Sequence, residues 1–560
     1  MKRFMRSICL AAWFASLPGS VAFAERTDER PNIVLILADD LGYSDLGCFG
    51  SEIETPCLDR LAEKGLRMTQ LYNAARCCST RASLLTGLYP HQAGVGAMSV
   101  DNHKPGYRGF LTDRGVSIAS LLKRAGYQTY MSGKWHLRGK GNQECIPTNH
   151  GFDEFFGHFK AYASYYRSDL FERFPAARQK REYKEGQFYA TDAITDYAVD
   201  FLAMAQERDN PFFLYVAYNA PHFPLQAPRD EIKKTLATYR DGWDSVREKR
   251  IRRMKHQGLV PQDTQLTERG HVTAVANRNA DSPYYDQQIP AWDELSDDRQ
   301  EDLATRMATY AAMVRIMDRN IGRIIDRLAK QGCLDNTLVV FLSDNGACAE
   351  WDPLGFDNNP YPRNRLYAGE DLKEMGGPKT FHSYGTGWAN ACNSPFRLYK
   401  HYNHEGGISS PTIISWPKGI KRTGELERAP THVIDLAPTF LELANAEYPN
   451  DSNELLPLAG ESLLDVWQGE AQPERTLYFE HEGNRAVRRG RWKCVWINYV
   501  KQWELYNIES DRTESIDLAQ KHPKLVSELE SLWLDWAKEN FVERQRVEQP
   551  ATGMPKIYYW

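Results

Sequence analysis

The sequence predicts an α/β fold, a mostly parallel sheet flanked by helices, with a small α+β portion at its C-terminal end. Three observations carry this. Apolar runs bounded by Pro, Gly or carboxylates recur along the chain. Segments with helical spacing alternate with them, and polar side chains gather just past the ends of four of the runs. At 560 residues, 42% hydrophobic and 26% charged, the chain has a folded protein's composition and is too long for one simple core.

The first 24 residues have the make-up of a secretory signal. Lys2, Arg3 and Arg6 form a basic start, Ile8 to Phe14 an apolar stretch, and Ala22-Phe23-Ala24 a small-residue cleavage site. That stretch is well short of the ~20 residues a membrane span needs. An exported protein, periplasmic or secreted and without a membrane span, is expected. The net charge of −5 becomes more negative once the leader is removed, which leaves no footprint for nucleic acid. Of ten cysteines, Cys9 lies in the leader; the pairing of the rest stays open, and no Cys or His spacing points to zinc.

Pro31 to Ala38 reads as a strand buried on both faces, closed by Asp39 and Asp40. Ser117 to Arg124 has helical spacing, Gly126 stops it, and Tyr127 to Ser132 returns to strand. Ala193 to Ala205 is an amphipathic helix before the strand Pro211 to Tyr218. Met307 to Leu328 is a longer helix before the strand Leu338 to Leu342, which runs into Asp344 and Asn345. Thr412 to Trp416 and the helical Val433 to Ala444 continue the alternation. Arg229 to Gln300 and Cys348 to Cys392 read as long interruptions of the lid or binding-loop kind. In the second, Trp351, Tyr361, Tyr367, Tyr384 and Trp388 offer either faces for a sugar or aryl ring or packing for the loop. Beyond about residue 470, Leu477 to Glu480, Arg485 to Arg489 and Trp492 to Trp496 are short strands before a helix from about His522 to Phe541.

Reactive groups in such sheets sit past the carboxyl ends of strands. Asp39-Asp40, Lys134 to His136, His222 and Asp344-Asn345 all fall there. By itself Asp39-Asp40 suits a solvated turn or a metal. With Asp344-Asn345 it supplies three carboxylates and an amide oxygen, a hard set suited to Ca²⁺ or Mg²⁺ rather than zinc. Cys77 precedes an apolar helix start with Arg81 four residues on, open to reading as a small buried residue or as an activated group.

The run Cys77-Cys78-Ser79-Thr80-Arg81-Ala82-Ser83-Leu84-Leu85-Thr86-Gly87 resembles the signature of the type I sulfatases, Cys-x-Pro-x-Arg with a Leu-Leu-Thr-Gly tail. Register makes Cys77 the residue converted to formylglycine; the family's Pro is Ser79 here. Asn32 to Tyr43 and Ser343 to Gly346 match the family's two metal-binding motifs, Ser132-Gly-Lys134-Trp-His136 its Gly-Lys-Trp-His element, and Tyr218 to Pro224 its Ala-Pro-His segment. Lys400-His-Tyr-Asn-His-Glu405-Gly-Gly407 matches Lys-x4-Glu-Gly-Gly and, with Gly387 to Asn390, looks closest to the bacterial arylsulfatase branch.

The resemblance implies an alkaline-phosphatase-like fold, a catalytic domain over 25–445 and a C-terminal subdomain over 446–560. It implies one Ca²⁺, in preference to Mg²⁺, on Asp39, Asp40, the modified Cys77, Asp344 and Asn345. Arg81 would hold the modified residue, and Lys134 and His222 would bind the sulfate. His136 would be the base that drives elimination, and Lys400 would neutralise sulfate charge and, with His222, help the alcohol depart. His401 and His404 are read as lining or structural residues. The expected activity is hydrolysis of sulfate monoesters on a small molecule or a glycan, after maturation by a formylglycine-generating enzyme. The rivals are a phosphate or phosphonate ester hydrolase of the same superfamily and, should Ser79 block maturation, a non-catalytic binder of sulfated glycans.

Overall fold

The computed structural model describes residues 29–140, 142–270, 288–349, 354–358, 362–449, 454–498 and 500–543. The leader with Cys9, Trp351 and Tyr361 lie outside the described residues. Strands run β1 (Asn32–Ala38), β2 (Leu66–Tyr72), β3 (Gln128–Lys134), β4 (Glu154–His158), β5 (Glu172–Phe174), β6 (Phe212–Ala217), β7 (Thr337–Ser343), β8 (Asp357–Asn358), β9 (Pro362–Arg363), β10 (Ser409–Ser415), β11 (Glu425–Glu427), β12 (Thr431–His432), β13 (Thr476–His481), β14 (Asn484–Arg489), β15 (Trp492–Ile497) and β16 (Gln502–Asn507). Ten of them form one sheet in the order β11-β2-β10-β7-β1-β6-β3-β4-β5, with β12 also on β2.

β1 is apolar from Ile33 to Ala38 because both its faces are covered. Val34 and Ile36 enter one core with the helices Ala190–Ala205 and Asp297–Lys330; Ile33, Leu35 and Leu37 enter the other with Cys77–Thr86, Ile118–Arg124 and Leu436–Leu443. Each such side chain is worth roughly 1.5–3 kcal/mol of burial. Leu35 pairs in parallel with Tyr215 of β6 and Val340 of β7, and β6 pairs in parallel with β3. The carboxyl ends of four adjacent strands therefore share one edge. β10 departs from the parallel pattern, running antiparallel between β7 and β2.

The described parts of the two long interruptions contain regular elements. Arg229–Tyr239 and Gly242–His256 are helices, and the long helix begins ten residues earlier than its apolar spacing suggested, at Asp297. Charge on their exposed faces hid the period, while Trp243, Val246, Ile251 and Met254 are buried. Trp243, Trp292 and Trp388 meet edge to face at 4.9–5.8 Å. Of the aromatics in the second interruption, Tyr384 stacks on Tyr310 at 4.8 Å, and Tyr367 and Trp388 are buried. These three are buried in packing, and Tyr384 also lines a small pocket beside Asp40 and His222.

β13 to β16 form an antiparallel meander, covered by the helix Pro523–Glu539 through Trp533 and Trp536. Among the described residues, Cys48, Cys57, Cys77, Cys78, Cys145, Cys392 and Cys494 are free thiols.

Candidate active site

At the shared edge, β1 delivers Asp39 and Asp40, β3 ends on Lys134, β6 leads to His222, and β7 leads to Asp344 and Asn345. The helix Cys77–Thr86 points its first residue at the same place, and the loop after the helix Gly385–Cys392 brings in Lys400. All ten predicted side chains converge there, with Cys77, Lys134 and Asp344 at 2% exposure or less.

Lys134 Nζ lies 2.5 Å from Asp39 Oδ2. Arg81 Nε and Nη2 donate to Asp344 Oδ2 at 3.1 and 2.7 Å, and its Nη1 donates to the Lys134 carbonyl at 2.8 Å. This fork fixes the helix start against β3 and β7, a planar geometry that lysine could not reproduce. Lys400 Nζ lies 2.7 Å from Asp40 Oδ1 and 3.4 Å from His222 Nε2. His222 Nδ1 contacts the Phe223 carbonyl at 2.7 Å, which makes Nδ1 the protonated nitrogen and turns Nε2 toward Lys400. His136 and Asp40 adopt left-handed backbone, φ 56° and 64°, the kind of strain that clusters at functional sites. It swings the His136 ring to 3.3 Å from Cys77 Sγ.

Burial holds His136 neutral, its pKa lowered to about 4. The Cys77 thiol is drawn well below the ordinary cysteine range by the adjacent Cys78 thiol and, against burial, by Lys134, His136 and Lys400. Burial opposes the charge on Asp40, but His222 and Lys400 hold its carboxyl down. Asp344 moves the other way, pushed up to about 8 by burial and then by Asp39, and burial raises Asp39 too.

The carboxylates fit a hard cation. Asp39 Oδ1 and Asn345 Oδ1 are buried with no hydrogen-bond partner among the described residues, and Asp40 Oδ2 has only the His222 ring, 3.3 Å away. Asn345 Nδ2 is spent on Asp40 Oδ1 at 2.7 Å, leaving its oxygen as the ligating atom. Crowded acids with raised pKa values and unpartnered oxygens are what a divalent ion would relieve.

A family model described as Sulfatase matches residues 31–446. The chain belongs to the sulfatase family. A model described as N-sulphoglucosamine sulphohydrolase, C-terminal, matches this sulfatase over residues 396–536. An uncharacterised sulfatase of Schizosaccharomyces pombe is 34% identical to it over 93% of this chain and 96% of its own. The arylsulfatase of Klebsiella aerogenes is 35% identical over 78% and 92%. A crystal structure of Ps i-CgsB in complex with k-i-k-neocarrahexaose superposes with TM-score 0.63 at 26% identity, covering 91% and 93%. The chain is thus a sulfuric ester hydrolase with the alkaline-phosphatase-like fold expected of it.

Several residues around the site escaped sequence reasoning. His158, fully buried at the end of β4 beside Lys134 in the register, is held neutral by burial. Its strand is short and was not read. The loop carrying Lys400 is gripped by the C-terminal sheet of this sulfatase. Glu405 accepts from Tyr72, Ser409, Lys493 and Arg512 at 2.9–3.0 Å, and its own N–H donates to Glu514. His401 Nδ1 lies 3.0 Å from Glu482, its carbonyl accepts from Asn484, and His404 Nε2 lies 2.8 Å from Glu504. Partners about a hundred residues apart leave no local signal. No helix among the described residues is long and apolar enough to cross a membrane.

Proposed function

We propose that this sulfatase cleaves sulfate monoesters of a phenol or a glycan through formylglycine formed on Cys77, with one Ca²⁺ on Asp39, Asp40, Asp344, Asn345 and the modified residue. The observation that carries this is the set of buried, unpartnered oxygens of Asp39, Asp40 and Asn345 gathered beside Cys77 and three cations. Formylglycine at position 77 would supply a nucleophile that can be regenerated without hydrolysis of an enzyme ester, and a cation held by Asp39, Asp40, Asp344 and Asn345 would supply charge to polarise a sulfate oxygen.

The chain's own residues do the rest. Arg81, pinned by Asp344, sets where residue 77 stands. Lys134 and Lys400 face the place of the sulfate with fixed positive charge, the term that contributes most where charge develops in a dry site. His136, neutral and 3.3 Å from Sγ, is placed to take a proton from the group at position 77. His222 and Lys400, 3.4 Å apart, are placed to hand one to the departing oxygen. Maturation by a formylglycine-generating enzyme and export through a leader cleaved after Ala24 belong to the same reading.

Mass analysis of the tryptic fragment Cys77 to Arg81 should show the thiol replaced by an aldehyde. Lys400→Ala should lower nitrophenyl sulfate turnover by ~10²–10³ with the fold intact by circular dichroism. An unmodified cysteine in fully active protein, or near-normal turnover without Lys400, would overturn the assignment. Faster turnover of nitrophenyl phosphate than of the sulfate would favour the phosphatase rival.

A further inference from the structure

The tip of the C-terminal sheet reaches the segments that carry Cys77 and Lys400. β13 and β14 are joined by two residues, Glu482 and Gly483, between the paired His481 and Asn484. Both loop residues have positive φ, 52° and 82°. Such a turn favours Asn or Asp before Gly, so a glutamate there is strained. The contacts of its side chain account for it. Glu482 Oε2 lies 3.0 Å from His401 Nδ1, and Oε1 lies 3.5 Å from His481 Nε2. Arg76 Nη1 contacts the His401 ring at Nε2. Burial keeps His401 neutral, its pKa lowered to about 3. Nδ1 then carries the proton toward Glu482, and Nε2 accepts from Arg76. Glu482, His401 and His481 also have metal-ligand spacing, but the guanidinium against the ring already supplies positive charge there.

Arg76 immediately precedes Cys77, and its Nε donates to Met98 Sδ at 3.0 Å. Its side chain is partly exposed, and its Nη2 has no partner among the described residues. Burial opposes its charge, and Glu482 is the neighbour that most sustains it. Arg76 is also close enough to Lys400 for the two charges to oppose each other. Arg81, Lys134 and Lys400 each pair directly with a carboxylate. The carboxylate of Arg76 stands one imidazole away, which leaves its charge the least compensated of the four.

Resting on the sulfatase reading above, we propose that Arg76 is a further sulfate-binding residue and that Glu482, acting through His401, is its positioning residue. The C-terminal sheet is then part of the site and not only its brace.

The test begins with calorimetric titration of Cys77→Ala protein with inorganic sulfate. Adding Arg76→Ala should weaken binding about tenfold. With Cys77 intact, Arg76→Ala should raise KM for nitrophenyl sulfate by a similar factor and change kcat less. Arg76→Lys should not restore KM, because lysine lacks the planar fork that meets the ring and the anion together. Glu482→Gln should raise KM several-fold, and His401→Gln, which breaks the link at its middle, should reproduce that rise. Neither should add to the effect of Arg76→Ala, since both act through the arginine. Melting curves establish that each variant is folded. Unchanged sulfate affinity and KM without Arg76 would overturn the proposal, and effects of Arg76 and Glu482 that simply multiply would overturn the positioning role. Sulfate affinity that depends on Arg76 in protein that cleaves no sulfate ester would count against the nucleophile assigned to Cys77 and leave the Arg76 site standing.

Discussion

Asn345 shows how a single amide organises the site. Its Nδ2 is committed to Asp40 Oδ1 and the Gly346 carbonyl, so its Oδ1 is left buried and unpartnered beside two carboxylates. An ion that binds there binds only the folded chain, and saturation at a hundredfold excess over Kd is worth about 2.7 kcal/mol. Ca²⁺ should raise the melting temperature by roughly 2–4 °C and a chelator should reverse it. Asn345→Ala should abolish the Ca²⁺-dependent shift. A differential scan of the chelated and reloaded protein checks this, and a wild type indifferent to Ca²⁺ would remove the metal from the site. These residues were legible in the sequence because each follows an apolar run. Glu405, Lys493 and Glu482 were not, since a buried ion pair between distant segments looks like any two charged residues until the chain is folded.

At the level of elements, β3 must lie close against β6 for Lys134 to reach Asp39. Gly133 makes that approach possible. Its φ is +121°, and a Cβ added to it would stand 1.9 Å from the Ala217 carbonyl oxygen, which is backbone and cannot swing away. Gly133→Ala should therefore lower the melting temperature by many degrees or yield insoluble protein. Gly186→Ala, also at positive φ but with nothing within 4 Å, should cost only about 1 kcal/mol. Comparing the two by thermal melts separates close packing from backbone preference; equal losses would show that β3 is not tightly held. β1 and β7 could be read from sequence because both faces of each are buried and the residues between their polar ends are apolar. β2, with Arg67, Thr69 and Gln70 interrupting it, and the five-residue β4 carry too weak a period to be separated from loop. The helices Arg229–Tyr239 and Gly242–His256 were hidden by their charge, which in the second extends to the buried Arg247 and Arg250.

Across the whole molecule, the two sheets are joined by a buried network centred on Glu405. Burial opposes its charge, yet Lys493, Arg512 and Arg488 hold its pKa down to about 2. A carboxyl depressed in the folded state contributes stability that is full above its unfolded pKa and is lost as pH falls through the folded value. The window is therefore from the ordinary glutamate value of 4.5 down to about 2. Glu405→Gln should melt well below wild type at pH 7, because it leaves Lys493 and Arg512 without their buried partner. The gap should narrow as the pH is lowered from 4.5 toward 3; a gap independent of pH would show that the charge on Glu405 does not matter. The strand order carries a consequence for how the chain is made. β2, which leads directly to Cys77, lies among β10, β11 and β12, and the Asn73 to Ser410 contact beside it spans 337 residues. At ~5–20 residues per second of synthesis, the ribosome emits the Cys77 segment tens of seconds before the strands that will cover it. For that interval the Cys77 segment lacks the strands that flank β2 in the finished sheet, so any chemistry needing an open chain there has to precede their docking.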